Sequence, residues 1–284
     1  MKKIIAFAHM MKTAGTNLNR QLIGIYGSKL HMVPGGLKFD DDNYGEKKFD
    51  EDFEKLNGNL SVITGHKVRP YLNFGKYQKQ LQWFTFLRSP KKRFVSHYLH
   101  DKMRTNDFAH KGYSSMISKS IEEWEEITNN QNYQTRFLAG EENLDKAIEV
   151  LENKMNWVGI TEEFEEGIKS LNYYLQIKKL VISEDQKKIN RNLAQNNKKE
   201  KVLDKYSDFI EEKNNLDIEL YRYTKKNIWP TYKMSADEII DDKPLSEIKQ
   251  LFNLLHWQFI RQTKFRTSEI NINNIKRFYK RWLR

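Results

Sequence analysis

The chain has no cysteine, which removes disulfide staples, cysteine nucleophiles and thiolate metal sites from consideration and suits a reducing compartment. Long apolar runs are missing too. Two lysines at the N-terminus precede only Ile4 to Ala8, too short for the apolar stretch of a secretory signal, and no segment approaches the roughly 20 residues of a membrane span. The expectation is a soluble, cytoplasmic protein. Acidic residues are in deficit, 38 Asp plus Glu against 49 Lys plus Arg, for a formal charge of +11. That balance favours anionic partners: nucleotides, acidic or sulfated glycans, nucleic acid or anionic lipid. Charge alone does not choose among them. With 284 residues the chain can bury one large core, alone or with an appendage. Its abundant Lys, Asn and Ile fit an AT-rich bacterial genome.

Apolar periodicity organises what is present. Ile4 to Ala8 reads as a buried strand, followed by the loop His9 to Gly15 and a helix with Leu18, Leu22, Ile23 and Tyr26 at helical spacing. "LSVITG" from Leu60, "WFTFL" from Trp83 and "WVGI" from Trp157 read as three more interior strands. Pro90 opens a helix with an apolar stripe of Phe94, Val95, Tyr98 and Leu99. Further helical patterns cover 118–128, 132–138 and 144–153, and Thr161 is read as the N-cap of another. "EDQKKINRNLAQNNKKEK" is too polar for core and reads as a mobile loop, before a helix carrying Phe209, Ile210, Leu216, Leu220 and Tyr223. Alternating strands and helices imply an α/β fold, a P-loop-like open parallel sheet flanked by helices. Beyond Trp229-Pro230 the pattern becomes a helical appendage. The expected division is a domain at 1–232 and a helical C-terminal extension at 233–284.

The loop "HMMKTAGTNL" places Lys12 among small residues between strand and helix, where unpaired backbone N–H groups and the helix dipole attract an anion. It lacks the G-x-x-x-x-G-K-[ST] signature of nucleoside triphosphatases, and no clear strand-terminal metal-binding aspartate follows. Lys12, Thr13, Ala14, Gly15, Thr16 and Asn17 can surround a phosphate without a metal. Standing alone, the segment reads as readily as a βα turn with a solvated lysine. The third strand, however, runs into "FTFLRSPKKRFVSHY", with Arg88 at its C-terminal end and Ser96 about two turns into the next helix. Ligands of open α/β sheets bind outside the carboxyl ends of the strands, so Lys12 and Arg88 can converge on one anionic ligand.

Here the sequence resembles a known family. "HMMKTAGTNL" is similar to the 5'-phosphosulfate loop, and "FTFLRSPKKRFVSHY" to the 3'-phosphate motif, of sulfotransferases that use 3'-phosphoadenosine 5'-phosphosulfate (PAPS), in the carbohydrate (sulfotransferase family 2) branch containing heparan sulfate 2-O-sulfotransferase. The resemblance continues in order through "TGHKVRPYLNFG", "NYQTRFLAG", "WVGITEEFEEGI" and "KINRNLAQNNKK". It implies that Lys12 contacts the sulfate-bridging oxygen, that residues Thr13 to Asn17 bind the 5'-phosphate, and that Arg88 and Ser96 bind the 3'-phosphate. The loop around Asn190 and Asn192 would close over the nucleotide. No metal is required. Two departures are visible: Met11 stands where the family usually has proline, and Ser89 where it usually has aspartate.

His66 matches the catalytic histidine of the family's Gly-His motif, and a neutral imidazole suits the proton transfer that sulfuryl transfer needs. From position alone a strand-end histidine in a structural hydrogen bond is the simpler reading. His9 and His97 read as packing or supporting residues. The segment "DDDNYGEKKFDE" resembles a calcium loop at Asp40, Asp42, Gly45 and Glu51, but Tyr44 at a ligand position and the preceding Pro34-Gly35-Gly36 argue against calcium. Lys67, Arg69, Lys91, Lys92, Arg93, Lys102 and Arg104 flank the expected cleft as a basic surface able to steer an acidic acceptor. The C-terminal "INNIKRFYKRWLR" can form a basic amphipathic helix, suited to peripheral contact at the inner membrane surface or to docking on the domain. The expected activity is sulfuryl transfer from PAPS to a hydroxyl, on a carbohydrate such as a cell-surface polysaccharide or glycolipid precursor, with no nucleic-acid partner. The rival reading is a noncatalytic basic module that binds nucleic acid or acidic glycan.

Overall fold

Every residue of Ile4–Ala8 is buried, because this strand, β1, has a neighbour on each edge and cover on both faces. The computed structural model describes residues 3–33, 44–103, 119–177, 180, 193–233 and 246–265. β1 leads into helix α1 (Gly15–Tyr26), strand β2 (Leu30–Met32), helix α2 (Glu46–Lys55) and strand β3 (Val62–Gly65). Strand β4 (Leu81–Leu87) follows, then α3 (Pro90–Met103), α4 (Ile121–Thr128), α5 (Tyr133–Ala139), α6 (Leu144–Asn153) and β5 (Met155–Ile160). After α7 (Phe164–Leu175), the described chain continues as α8 (Leu193–Lys205), α9 (Ser207–Lys213), α10 (Asn215–Tyr223) and α11 (Glu247–Phe265).

The strands form one parallel sheet in the order β2-β3-β1-β4-β5. A parallel sheet buried on both faces needs continuous apolar strands, and the two-residue period sorts their side chains. Ile4, Ala6 and Ala8 face a core shared with Phe49 of α2, Phe137 of α5, Leu151 of α6 and Leu220 of α10. Ile5 and Phe7 face a second core with Leu18 and Leu22 of α1, Ile168 and Leu171 of α7, and Leu254 and Trp257 of α11. A third cluster joins Phe94, Val95, Tyr98 and Leu99 of α3 to Ile121, Trp124 and Ile210.

Several expectations are corrected. β2 escapes sequence reading because three residues that include a histidine carry too little periodicity. His31 fits inside because its Nε2 lies 2.9 Å from Asp52 Oδ2. The polar segment 193–205 is helix, built from good helix formers and joined to the third cluster through Val202 and Leu203. The single helix expected to carry Phe209 to Tyr223 breaks at Asn214 into α9 and α10. Thr161 does not cap a helix: its hydroxyl donates to the Leu87 carbonyl at 3.0 Å, and a 3-10 turn, Thr161–Glu163, precedes α7.

The C-terminal region contributes α11, which packs against α1 and the start of β2. Asn253 Nδ2 donates to the Gly24 carbonyl at 2.7 Å and Trp257 Nε1 to the Leu30 carbonyl at 3.1 Å. Burying Leu254 alone contributes about 1.5–3 kcal/mol. The basic segment expected to form a terminal amphipathic helix lies outside the described residues. Among the described residues no helix is long and apolar enough to cross a membrane.

Candidate active site

β1 stands between β3 and β4, so the chain's connections leave it in opposite directions and open a crevice at its C-terminal end. The loop after β1 fills that position. Lys12 and Ala14 both adopt left-handed backbone, at φ 67° and 65°, which costs a non-glycine residue of the order of 1–2 kcal/mol. Alternation of this kind turns successive N–H groups toward one concavity. The Thr13 side chain is fully buried and its hydroxyl donates to the Met10 carbonyl at 3.0 Å, tying the loop to itself. The Met11 N–H donates to Tyr133 Oη at 3.3 Å, a bond that proline could not make.

On the β4 side, Arg88 Nη1 donates to the Lys12 carbonyl at 2.9 Å. Its backbone is clamped by Gln134, whose Oε1 accepts from Arg88 N–H and whose Nε2 donates to the Arg88 carbonyl, each at 2.9 Å. The start of α5 is pinned in turn by buried Asp217, which accepts from the N–H groups of Gln134 and Thr135 and from the Thr135 hydroxyl. "NYQTRFLAG" is thus the segment that braces the loop through Tyr133 and Arg88 through Gln134. Burial lowers the Arg88 pKa, with Glu162 opposing. Glu162 also accepts from Ser89 N–H at 3.1 Å, which brings a carboxylate to the turn where the family usually carries aspartate.

Ser96 lies half-buried on α3. Lys199 of α8 is held below the usual lysine range by burial and then by the charge of Arg88, which places the two cations near each other. Sequence reasoning missed Lys199, although it closes the quoted segment "KINRNLAQNNKK". Asn190 and Asn192 lie outside the described residues, as do Arg104, Asp40 and Asp42.

On the β3 side stands His66. Gly65 precedes it at φ 147°, and a Cβ there would meet the Val33 carbonyl oxygen at 2.6 Å, so the position favours glycine. The His66 Nδ1–H donates to the His9 carbonyl at 2.8 Å. A carbonyl only accepts, so the proton sits on Nδ1 and the Nε2 lone pair remains basic. Burial lowers the His66 pKa, the bond to His9 opposes it, and the charges of Arg69 and Lys12 lower it further. The imidazole is therefore neutral near pH 7.

His9 is the buried hub. Thr64 Oγ1 donates to Asn19 Oδ1 at 2.8 Å, and Asn19 Nδ2 donates to His9 Nδ1 at 3.0 Å. The His9 ring stacks on Phe7 at 5.2 Å and lies 4.3 Å from the His66 ring. Burial first, then the nearby His66 and Lys12, hold its pKa well below the usual histidine value. Asn19 and this relay gave no sequence signal beyond a polar residue on the apolar face of α1.

Two of the expected steering cations have other roles. Arg93 is fully buried, donating through Nη1 to Asn130 Oδ1 at 2.9 Å and lying 4.7 Å from the Tyr133 ring centroid. Arg69 is buried and donates through Nε to the His66 carbonyl and through Nη1 to Tyr71 Oη. They face inward because their positions lie on packed faces, which charge counting does not register. Lys91 pairs with Glu211, and Lys102 donates to Tyr98 Oη. Lys92 is exposed and Lys67 half-buried.

Beside His66 opens a cleft of about 430 Å³, bordered by Thr16, Arg20, Val33, Gly65, Trp257 and Arg261 as well as His9. Among the described residues no His, Asp and Glu are grouped to hold a metal ion. The arrangement therefore sets an electropositive loop at the centre, Arg88 and Lys199 on one flank, and a neutral imidazole that borders the cleft on the other.

No curated protein matches the chain. The model of the Sulfotransferase family matches residues 2–224, and the chain thus belongs to that family, whose chemistry is the transfer of a sulfuryl group from a donor to a hydroxyl acceptor.

Proposed function

We propose that the protein transfers the sulfuryl group of PAPS to a carbohydrate hydroxyl, with His66 as general base and Lys12 as the group that stabilises the leaving phosphate. The observation that carries this reading is the bond from His66 Nδ1 to the His9 carbonyl, which leaves Nε2 basic beside the cleft. The residues fit a donor with two separated anionic groups. The left-handed loop at Lys12 and Ala14 and the start of α1 suit one phosphate through backbone N–H groups, Thr13 among them. Arg88, Ser96 and Lys199 suit the other from the β4 side. Asn190 and Asn192 remain proposed contacts of the loop that covers the nucleotide.

As the acceptor oxygen forms its bond to sulfur, His66 Nε2 takes the hydroxyl proton, and the electron pair of the broken S–O bond goes to the bridging phosphate oxygen, where the Lys12 ammonium offsets the new charge. The imidazolium stays coupled to the His9 carbonyl through Nδ1–H. Low pKa favours release of the proton after turnover. PAPS supplies the activated sulfuryl group and leaves as 3',5'-adenosine bisphosphate.

The test separates binding from chemistry. His66→Ala should retain affinity for 3',5'-adenosine bisphosphate in calorimetric titration, while turnover falls by about 100-fold or more. Wild-type turnover should decline as pH falls through the lowered His66 pKa, and any residual activity of the variant should lack that limb. A folded, nucleotide-competent variant with near-normal turnover would remove His66 from the chemistry.

A further inference from the structure

The His9 side chain is 7% exposed, and what it exposes borders the cleft beside His66. Its tautomer follows from the residues behind it. The Thr64 hydroxyl donates to Asn19 Oδ1, so the Asn19 amide turns its Nδ2 toward His9 Nδ1. Nδ1 accepts that bond through its lone pair. Burial keeps the ring neutral, with His66 and Lys12 acting in the same direction. A neutral imidazole carries one ring proton, which here sits on Nε2. Among the described residues nothing accepts a hydrogen bond from that Nε2–H. A donor held in so buried a ring calls for an acceptor.

Two neighbours fix where the donor stands. The Cδ2–Nε2 edge of the ring lies against Gly15, the first residue of α1, where an added Cβ would fall 2.0 Å from Nε2. The N-cap of α1, Ala14, makes no side-chain cap bond, so this helix end suits an anion. On the other side the His66 ring centroid lies 4.3 Å from that of His9. The N–H thus stands between the loop that suits a phosphate and the imidazole that suits a base. A group passing from one to the other is the sulfuryl group, whose three nonbridging oxygens share a negative charge. With the proton on Nδ1 instead, His9 would turn a lone pair toward those oxygens and repel them. Fixing the tautomer gives the buried Thr64–Asn19 relay a purpose.

Resting on the sulfotransferase reading above, we propose that His9 Nε2–H donates to a nonbridging oxygen of the sulfuryl group, and so distinguishes loaded PAPS from spent 3',5'-adenosine bisphosphate. His9 transfers no proton in this role. Its carbonyl orients the base and its side chain holds the group to be transferred, so one residue aligns both reactants.

The full chain is titrated calorimetrically, without acceptor, with PAPS and with 3',5'-adenosine bisphosphate, which differ by the sulfuryl group alone. His9→Leu should weaken PAPS by about 10- to 100-fold. Its affinity for 3',5'-adenosine bisphosphate should stay within about twofold of wild type, which also reports that the variant is folded. His9→Gln, whose amide nitrogen can stand near the position of Nε2, should recover part of the loss. A second measurement needs no folded His9→Leu variant: nitrogen NMR of the wild type with ring-labelled histidine, His9 being assigned by its absence from the His9→Gln spectrum. Nε2 should carry the proton, and its signal should shift further when PAPS replaces 3',5'-adenosine bisphosphate. Equal weakening of the two nucleotides would give His9 a phosphate-binding or purely structural role and overturn the proposal. So would an unaffected His9→Leu variant, a proton found on Nδ1, or an Nε2 signal indifferent to the exchange of nucleotides. The donor reading fails on a different result, the absence of 3',5'-adenosine bisphosphate binding to the wild-type chain.

Discussion

Gly15→Ala tests whether the His9 hub holds the site together. Alanine at the start of a helix ordinarily gains up to about 1 kcal/mol over glycine, so the naive expectation is stabilisation. The structure predicts the opposite. A Cβ at position 15 would lie 1.9 Å from His9 Cδ2 and 2.0 Å from Nε2. The ring has little room to retreat, because Phe7 stacks on it at 5.2 Å and Phe7 is itself stacked on Phe84 at 4.6 Å. Overpacking costs about 1–3 kcal/mol, and a displaced ring leaves the buried Asn19 amide without its acceptor, for about 1–3 kcal/mol more. After the helix gain is subtracted, the loss is about 1–5 kcal/mol. Gly24→Ala on the same helix is the control, since the atoms nearest its added Cβ belong to the Gln250 side chain, at 3.4 Å and beyond. That substitution should be neutral or stabilise by up to about 1 kcal/mol. Urea unfolding of both variants at pH 7 measures the contrast. Equal stabilities for the two would refute the packing argument. The Gly15→Ala variant should also lose turnover more than it loses nucleotide affinity, because the His9 carbonyl is what orients His66.

Much of the architecture was readable because interior parallel strands are predominantly apolar, so Ile4–Ala8 and the Trp83 to Leu87 part of β4 announce themselves. The loop after β1 was legible as a βα connection with a lysine among small residues, a pattern that by itself fits an ordinary turn as readily as an anion site. Its convergence with Arg88 followed from the strand-end rule, and the structure places the two in contact through the Lys12 carbonyl. Other features leave no local trace. β2 is too short to show a period, and α8 is held by a neighbour from elsewhere in the chain. Charge counting placed Arg69 and Arg93 on the surface, but both are buried in networks whose partners, Tyr71 and Asn130, carry no signal of that role. Lys199 and Arg261 reach the site only through tertiary packing, from segments that looked like loop and appendage.

Arg88→Ala should weaken 3',5'-adenosine bisphosphate strongly, since a buried charge-assisted contact is worth roughly 2–5 kcal/mol, and barely change adenosine 5'-phosphate. Equal weakening of both in calorimetric titration would assign Arg88 to the loop alone. The remaining prediction concerns acid stability. His97 is buried, accepts from Asn130 Nδ2 through Nδ1 at 2.8 Å, and lies against the Trp124 ring at 5.3 Å. Burial pulls its pKa down to about 4, against the attraction of Asp101 at 3.5 Å and with help from Arg93 and Lys12. The folded state thus refuses a proton that the unfolded chain accepts near pH 6.5. The stability associated with this group is complete above pH 6.5 and is lost as pH falls from 6.5 toward 4, at up to about 1.4 kcal/mol per pH unit. Between pH 7 and 5 the loss from His97 is about 2 kcal/mol. His9 and His66, also lowered by burial, add to it in the same direction. Urea midpoints of the wild type and of His97→Gln at the two pH values isolate the contribution: the wild type should lose about 2 kcal/mol more than the variant over that interval. If both lose stability equally, His97 titrates alike in the folded and unfolded states, and its burial does not control its charge.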